Sequence, residues 1–330
     1  MRNYRIVRST GRDVWRNLAL EERLVQQADP GETVLYLWRN DPAVIVGRHQ
    51  VPWAECSVAT LDREGVRLAR RISGGGAVYH DLGNLNFTFI TGRDVYDLPG
   101  QVRLIREAVR SLGADAELSP RNDLLVSGGK VSGNSSWLGK AVACHHGTLL
   151  VASDLARLGR YLEPAPLAVT SNIIKSVRSP VTNLADACPG LTVDDVEDAI
   201  IRAFGGASGA GVADVYPSSY PELDQLAARH ASWEWRFGKT PRFEVAFTCA
   251  GGPDEGRAVL TVGHGCIERV KLEAGAGTGT AAELNKALCG VRFQQADMGS
   301  ALAGVADALR DPAVRAVAEC LARQVGCAIG

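Results

Sequence analysis

The stretch RRISGGGAVYHD, residues 70–81, places three consecutive glycines between two strand-like runs, "VRLARRI" and "NLNFTFIT". Each glycine loses more backbone freedom on folding than any other residue. A chain that keeps three together leaves bare amides there, where backbone can approach an anion that side chains would block. Arg70 and Arg71 stand at the entry to this loop, with Ser73 and His80 beside it, and guanidinium groups supply charge-assisted hydrogen bonds to phosphate or carboxylate. Neither G-x-x-x-x-G-K-[ST] nor a G-x-G-x-x-G running from strand to helix occurs. By itself the stretch also fits a glycine-rich β-turn with surface arginines.

Around this loop the periodicities alternate between strand and helix. Residues 14–28 carry apolar side chains at helical intervals. "TVLYLWRN" and "AVIVG" read as two strands around an Asp-Pro turn, and 53–64 as a helix. In "NLNFTFIT", Leu85, Phe87 and Phe89 share one face of a strand while Asn84, Asn86 and Thr88 share the other. "DLPGQVRLIREAVRSLG" is a helix ending at Gly113. "NDLLVSGGKVSG" reads as a hairpin turning at Gly128-Gly129. Thr192 and Asp195 open a helix with capping-box spacing. "GGASGAGVAD" (205–214) has the composition of a flexible loop. Beyond "WEWRFGKTPRF" (233–243) come strand-like runs, a "GAGTGT" break and Ala/Leu helical segments. This order predicts an α+β chain with domains at 1–245 and 246–330.

With 330 residues and a formal net charge of −1, a general polyanion or nucleic-acid binder is not expected. No run of about 18 apolar residues spans a membrane, and the first residues lack a signal-peptide core, which points to the cytoplasm. The eight cysteines form no C-x-x-C pair and read as small buried hydrophobes in a reducing compartment. In "CHHGTLLV" (144–151), His145 and His146 point to opposite faces of a strand; one core histidine and one polar contact account for them. Cys144 next to His145 is badly oriented for a nucleophile–base pair. The hairpin would set Lys130 on a rigid returning strand, where its ammonium could neutralise two anions; a solvent lysine beside a turn is the plainer reading.

Taken together, "WRN" (38–40), "IVGRHQVPWAEC" (45–56), "VRLARRISGGGAVYHDLGN" (66–84), "RNDLLV…GKVSG" (121–133), "HHGTLL" (145–150) and "SVRSPVTNL" (176–184) resemble, in order and spacing, the lipoate–protein ligase A family. The resemblance is dense over about 1–245 and weak over 246–330. It implies a mixed-sheet catalytic domain shared with biotin ligases, plus a small C-terminal α+β domain. The reaction it implies converts lipoate and ATP, with Mg²⁺, to lipoyl-AMP and pyrophosphate. The lipoyl group then passes to a lysine ε-amine of a lipoyl domain, either of a 2-oxoacid dehydrogenase E2 subunit or of the glycine-cleavage H protein.

By the same resemblance Lys130 touches both carboxylate and α-phosphate. Arg71 and the backbone of Gly76, Ala77, Val78 and Tyr79 hold the nucleotide. Ser73, Gly75 and His80 line the acyl–phosphate junction, and Asp123 helps to place Mg²⁺. Leu18 and Trp38 wall the lipoyl slot, with Glu21 nearby. Pro180 departs from the family, standing where a basic residue is common. The competing expectations are a lipoyl- or octanoyltransferase that does not use ATP, with Cys144 as the sole plausible thiol, and a non-catalytic lipoyl-binding module. A biotin ligase would carry a G-R-G-R-x-G-type loop, which is absent.

Overall fold

The computed structural model describes residues 3–170, 176–249, 256–273, 278–308 and 312–329. In chain order the strands are β1 (Asn3–Ser9), β2 (Glu32–Trp38), β3 (Ala43–Val46), β4 (Arg67–Arg70), β5 (Val78–His80), β6 (Asn84–Gly92), β7 (Ala116–Leu118), β8 (Leu124–Val126), β9 (Gly129–Ser132), β10 (Asn134–Leu138), β11 (Val142–Leu150), β12 (Ala168–Thr170), β13 (Val212–Val215), β14 (Phe243–Cys249), β15 (Gly256–Gly263) and β16 (Cys266–Glu273). The helices are α1 (Val14–Gln27), α2 (Pro52–Glu55), α3 (Val58–Glu64), α4 (Leu98–Arg110), α5 (Leu155–Tyr161), α6 (Leu184–Ala187), α7 (Val193–Ser208), α8 (Asp224–Ala231), α9 (Trp233–Arg236), α10 (Thr278–Leu288), α11 (Gln295–Ala308) and α12 (Pro312–Ile329).

The chain packs as two units. One comprises Met1–Gly47, Ala69–Gly159 and Ser176–Ala231; the other comprises Arg48–Leu68, Arg160–Lys175 and Ser232–Gly330. This division differs from a single boundary at 245. The cause lies in the second unit's core, where Trp53 of α2 packs on Phe237, Phe243 and Phe293 at ring separations of 5.1, 5.8 and 5.0 Å. Large aromatic surfaces dominate such burial energetics, so the segment around Trp53 is part of that core despite its distance in sequence. The second unit's sheet has the order β12–β14–β15–β16, antiparallel throughout. The "GAGTGT" break lies partly outside the described residues, and α10 begins at Thr278.

The first unit is built on a mixed six-stranded sheet of order β10–β11–β6–β2–β1–β13. Pairing is antiparallel from β10 to β2 and parallel from β2 to β13. The alternation in β6 sorts its two faces. Leu85, Phe87 and Phe89 join Ile105 and Val109 of α4 and Val196, Ile200 and Phe204 of α7 in one apolar core. The opposite face carries Asn86 and Thr88 toward Trp38 and α1. A strand of period two with one apolar and one polar face, both buried, leaves its polar side chains needing partners.

Local expectations are refined at four places. Two strands flank Asp41-Pro42 as expected, and they join different sheets: β2 belongs to the large sheet, whereas β3 lies in a small sheet of order β4–β3–β5. The expected helix over 53–64 is two helices, because Cys56 between them is extended at φ −149°, ψ 161°. The hairpin turns one residue earlier than expected, at Ser127-Gly128, where both residues have positive φ (51° and 78°), the geometry of a two-residue type I′ turn. Finally, 205–214 is not a loop. The Thr192–Asp195 capping box starts α7, which runs to Ser208 and is closed by left-handed Gly209. Beyond it, β13 pairs in parallel with β1, so strand pairing and tertiary packing override a glycine-rich composition.

Candidate functional site

Arg71 shapes the glycine turn from within. Its Nη2 donates to the carbonyls of Gly74 (2.5 Å) and Gly76 (2.7 Å), and its Nε to Gly74 O and Ser73 Oγ, each at 3.1 Å. Nη1 reaches the carbonyl of Ile45 at 3.3 Å. The Arg71 fork thus lies on the protein's own carbonyls. Burial brings this guanidinium down to about 10, with the Glu21 charge opposing.

In a trans peptide the C=O and N–H point in opposite directions. Pulling the Gly74 carbonyl onto Arg71 turns the Gly75 N–H outward. Among the described residues the amides of Gly74, Gly75 and Gly76 donate to no protein acceptor, whereas Ala77 N–H donates to Ser176 Oγ at 2.8 Å. Gly75 sits at φ +82°, and a Cβ there would lie 3.0 Å from Arg71 Nη2. A Cβ at Gly47 would lie 2.2 Å from the Gly75 carbonyl oxygen, so that glycine is required by the turn across from it. Val78 and Tyr79 belong to β5, which pairs with β3 and forms an edge of its sheet.

On the polar face of the large sheet a buried chain of hydrogen bonds runs from Trp38 to the turn. Trp38 Nε1 donates to Thr88 Oγ1 (3.2 Å), and Thr88 donates to Glu21 Oε1 (2.7 Å). Glu21 also meets His146 Nδ1 at 2.8 Å, and His146 Nε2 meets Ser73 Oγ at 2.5 Å. Ser135 of β10 donates to the Gly74 carbonyl at 2.9 Å. Burial works to raise the Glu21 carboxyl, but the charge and hydrogen bond of His146, with the hydrogen bond of Thr88, hold it below the usual range. Leu18 is buried on α1, three residues before Glu21.

His80 is fixed in one tautomer. Asn17 Nδ2 donates to Asn40 Oδ1 (2.9 Å), so Asn40 Nδ2 faces His80 Nδ1 (3.0 Å) as donor. The ring proton is then on Nε2, which is buried and has no hydrogen-bond partner among the described residues. Burial first, then the Arg71 and His146 charges, push this imidazole down to about 3. It is a neutral donor held against Trp38, whose ring centroid is 5.7 Å away.

This depressed value has a consequence for stability. An unfolded histidine takes up its proton near pH 6.5, whereas folded His80 does so only near 3. Between those values the unfolded chain binds more protons. The contribution is complete above 6.5 and is lost as pH falls toward 3, at about 1.4 kcal/mol per pH unit. Urea unfolding of the native chain and of His80→Gln between pH 6 and 4 should show that difference in slope; parallel pH profiles would contradict it.

Lys130 begins the return strand of the hairpin, with its backbone held between Pro180 and Thr182 (Lys130 N to Pro180 O 2.9 Å, Thr182 N to Lys130 O 3.1 Å). Its Nζ pairs with Asp123 Oδ1 at 2.9 Å, the two side chains being 24 % and 18 % exposed. A Cβ at Gly133 would come within 3.3 Å of that Nζ. Gly133 is two residues from Ser135, which binds the glycine turn, and extended chain rises about 3.3 Å per residue.

The structure ties Glu21, Trp38, Ser73, His80 and Arg71 together around the polar sheet face and sets Lys130 and Asp123 on the neighbouring hairpin. Sequence reading missed Asn40, Thr88, Ser135, His146 and Ser176. The usable signal for His146 was alternation: it shares a face with Cys144, not His145, and pairs in register with Thr88. His145 instead stacks on Phe89, at 6.0 Å and 13°. Glu21, Cys144 and His146 each bring one ligand-type atom within 4.8 Å, yet both His146 nitrogens are engaged by Glu21 and Ser73. Burial, and then the Glu21 charge, push the Cys144 thiol well up, which opposes a thiolate nucleophile there.

A mixed sheet thus has one face given to core and the other to an inward-wired carboxylate–imidazole–hydroxyl chain, next to amides that have no protein acceptor among the described residues. Residues 13–205 match the lipoyl protein ligase A/B catalytic domain, and the chain belongs to that family. Protein Ta0514 of T. acidophilum, solved with bound lipoic acid, is 28% identical, with 72% of this chain and 100% of that one covered and a TM-score of 0.58. A lipoate-protein ligase A bound with ATP is likewise 28% identical over 72% of this chain and 98% of its own, also at 0.58. P. falciparum LipL1, in complex with lipoate, covers 97% of this chain and 100% of its own at 23% identity and a TM-score of 0.64, a likeness of fold.

Proposed function

We propose that this chain activates lipoate with ATP to lipoyl-AMP and transfers the lipoyl group to the lysine ε-amine of a lipoyl domain. The reading rests on three features of the chain: a strand-held ammonium, three successive amides and a neutral His80 N–H, the amides and the N–H being without a protein acceptor among the described residues. Joining a carboxylate to an α-phosphate brings two anions together. At about 4 Å and an effective dielectric near 20 they repel by roughly 4 kcal/mol. Lys130 offsets that repulsion and stabilises the charge that develops in the transition state. The amides of 74–76 receive phosphate oxygens, and the edge of β5 takes the rest of the nucleotide. The His80 N–H orients the acyl carboxyl, with Trp38 and Leu18 beside the chain. Relatives of comparable identity that hold lipoic acid and ATP support this assignment.

Mg²⁺ fits the donor set in one respect: it is usually held by one or two carboxylates together with substrate phosphates, and Asp123 offers such a carboxylate beside Lys130. Asp123 would hold it, and when bound it would neutralise phosphate charge. The acceptors in this reading are lipoyl domains of 2-oxoacid dehydrogenase E2 subunits and the glycine-cleavage H protein. The place of reaction is the cytoplasm; among the described residues no helix is long and apolar enough to cross a membrane.

Lipoate-dependent ATP–pyrophosphate exchange, run beside octanoate and biotin, tests the reading. Exchange with lipoate, less with octanoate and none with biotin is expected. Transfer from preformed lipoyl-AMP without any exchange would assign the chain to the ATP-independent transferases, and tight lipoate binding without turnover would make it a binding module.

A further inference from the structure

His80 carries its proton on Nε2 because of a relay of amides that begins on α1. Asn17, Asn40 and His80 are 0 %, 0 % and 3 % exposed. Asn17 Nδ2 lies 3.1 Å from the carbonyl oxygen of Gly11 and 2.9 Å from that of Arg39. A backbone carbonyl only accepts, so the nitrogen of this amide must face both. Its oxygen faces the other way and accepts from Ser9 Oγ at 2.7 Å and from the Tyr36 hydroxyl at 3.3 Å. The same Nδ2 reaches Asn40 Oδ1 at 2.9 Å, which leaves Asn40 Nδ2 toward His80 Nδ1 at 3.0 Å. Two backbone carbonyls thus orient two amides and, through them, select the ring nitrogen that bears the proton. Protonating Nδ1 would set donor against donor, because an amide nitrogen cannot accept. The Nε2–H at the end of the relay is buried and without an acceptor among the described residues. A buried donor left in that state carries its full desolvation penalty, so the relay points to an acceptor on a ligand.

We propose that Asn17 and Asn40 are positioning residues, which act through His80 to present one fixed N–H to the ionised carboxylate of the acyl substrate. That the acceptor is an acyl carboxylate rests on the ligase reading; the relay rests on the geometry. A neutral N–H orients the carboxylate and leaves its charge in place for attack on the α-phosphate. An imidazolium there would pair with the carboxylate in the ground state, and binding spent on the ground state does not speed the chemical step. Among the described residues, the charges that act on His80 from neighbouring elements are those of Arg71 in the glycine turn and His146 on β11, and each opposes protonation of the ring. Glu21 of α1 meets His146. The relay thus makes the donor to the acyl carboxylate independent of pH through the neutral range.

The test labels the six histidines of the full chain with nitrogen-15 and assigns His80 by comparison with His80→Gln. Native protein is expected to hold the proton on Nε2 from pH 6 to 9, and lipoate added without ATP should shift Nε2 more than Nδ1. Asn40→Asp exchanges an amide nitrogen for an oxygen of similar size and reverses the demand, because a carboxylate requires the proton on Nδ1. At high pH the neutral ring then turns its Nε2 lone pair on the substrate carboxylate. Lipoate binding should weaken there by roughly tenfold to a hundredfold, the loss of one hydrogen bond to a charged group. As pH falls the new carboxylate favours the imidazolium, Nε2 regains its proton and the affinity recovers. A merely structural asparagine would give a loss equal at every pH, and that result would overturn the inference. So would a native His80 with its proton on Nδ1, which the native spectra show whether or not Asn40→Asp folds. In either case lipoate-dependent exchange by the native protein would keep the ligase reading. Lipoate that binds with the expected shifts but supports no exchange would overturn the ligase reading and leave the inference standing.

Discussion

Replacing Lys130 by alanine is expected to lower lipoate-dependent ATP–pyrophosphate exchange by about a thousandfold while the fold is retained. The roughly 4 kcal/mol of repulsion between carboxylate and α-phosphate is no longer offset in the variant, and each 1.4 kcal/mol is a tenfold change in rate. Structural damage should be small. The Lys130 side chain is about one-quarter exposed, and its partner Asp123 has access to water; its backbone bonds to Pro180 and Thr182 do not depend on the side chain. Lys130→Arg keeps the charge but replaces a compact ammonium with a planar fork, and intermediate activity is expected. Exchange kinetics beside circular dichroism and thermal unfolding check both variants. Near-normal exchange in Lys130→Ala would remove this residue from the chemistry.

Gly75→Val is expected to weaken ATP binding by a hundredfold or more, as read by calorimetry. At φ +82° a β-branched side chain is strained outright, at a cost of order 1–3 kcal/mol. Its Cβ would also press on Arg71 Nη2 at 3.0 Å and on Ser135 Oγ at 3.2 Å, the two groups that hold the Gly74 carbonyl inward. The effect thus acts through the turn's own scaffold: once that carbonyl is released, the neighbouring amides lose their outward aim. Gly74 provides the contrast, because a Cβ there meets nothing within 4 Å. Gly74→Ala should therefore leave stability nearly unchanged. Equal ATP affinity in native and Gly75→Val proteins would discredit the cradle.

Much of this site was legible from residue type and period. Two-residue alternation placed Leu85, Phe87 and Phe89 opposite Asn86 and Thr88, and the capping box marked the start of α7. The glycine triplet and Lys130 stood out because bare backbone and a strand-borne ammonium carry chemistry that their neighbours do not. Other parts were illegible for physical reasons. The partnership of Glu21, His146 and Ser73 joins residues up to 125 positions apart, and nothing local encodes which helix will cover the polar face of a sheet. The charge of Arg71 is visible in sequence, whereas the carbonyls of Ile45, Gly74 and Gly76 that its guanidinium holds are not.

Local steric and periodic constraints thus sufficed to set the strands, the glycine turn and the family signature in the chain itself. Tertiary structure alone decided that Trp53 joins the core of the second unit, that β13 extends the sheet beside β1, and that the His80 proton resides on Nε2. Each of these depends on partners distant in sequence, and burial makes those partners matter: a polar or aromatic group removed from water takes whatever neighbour the fold supplies.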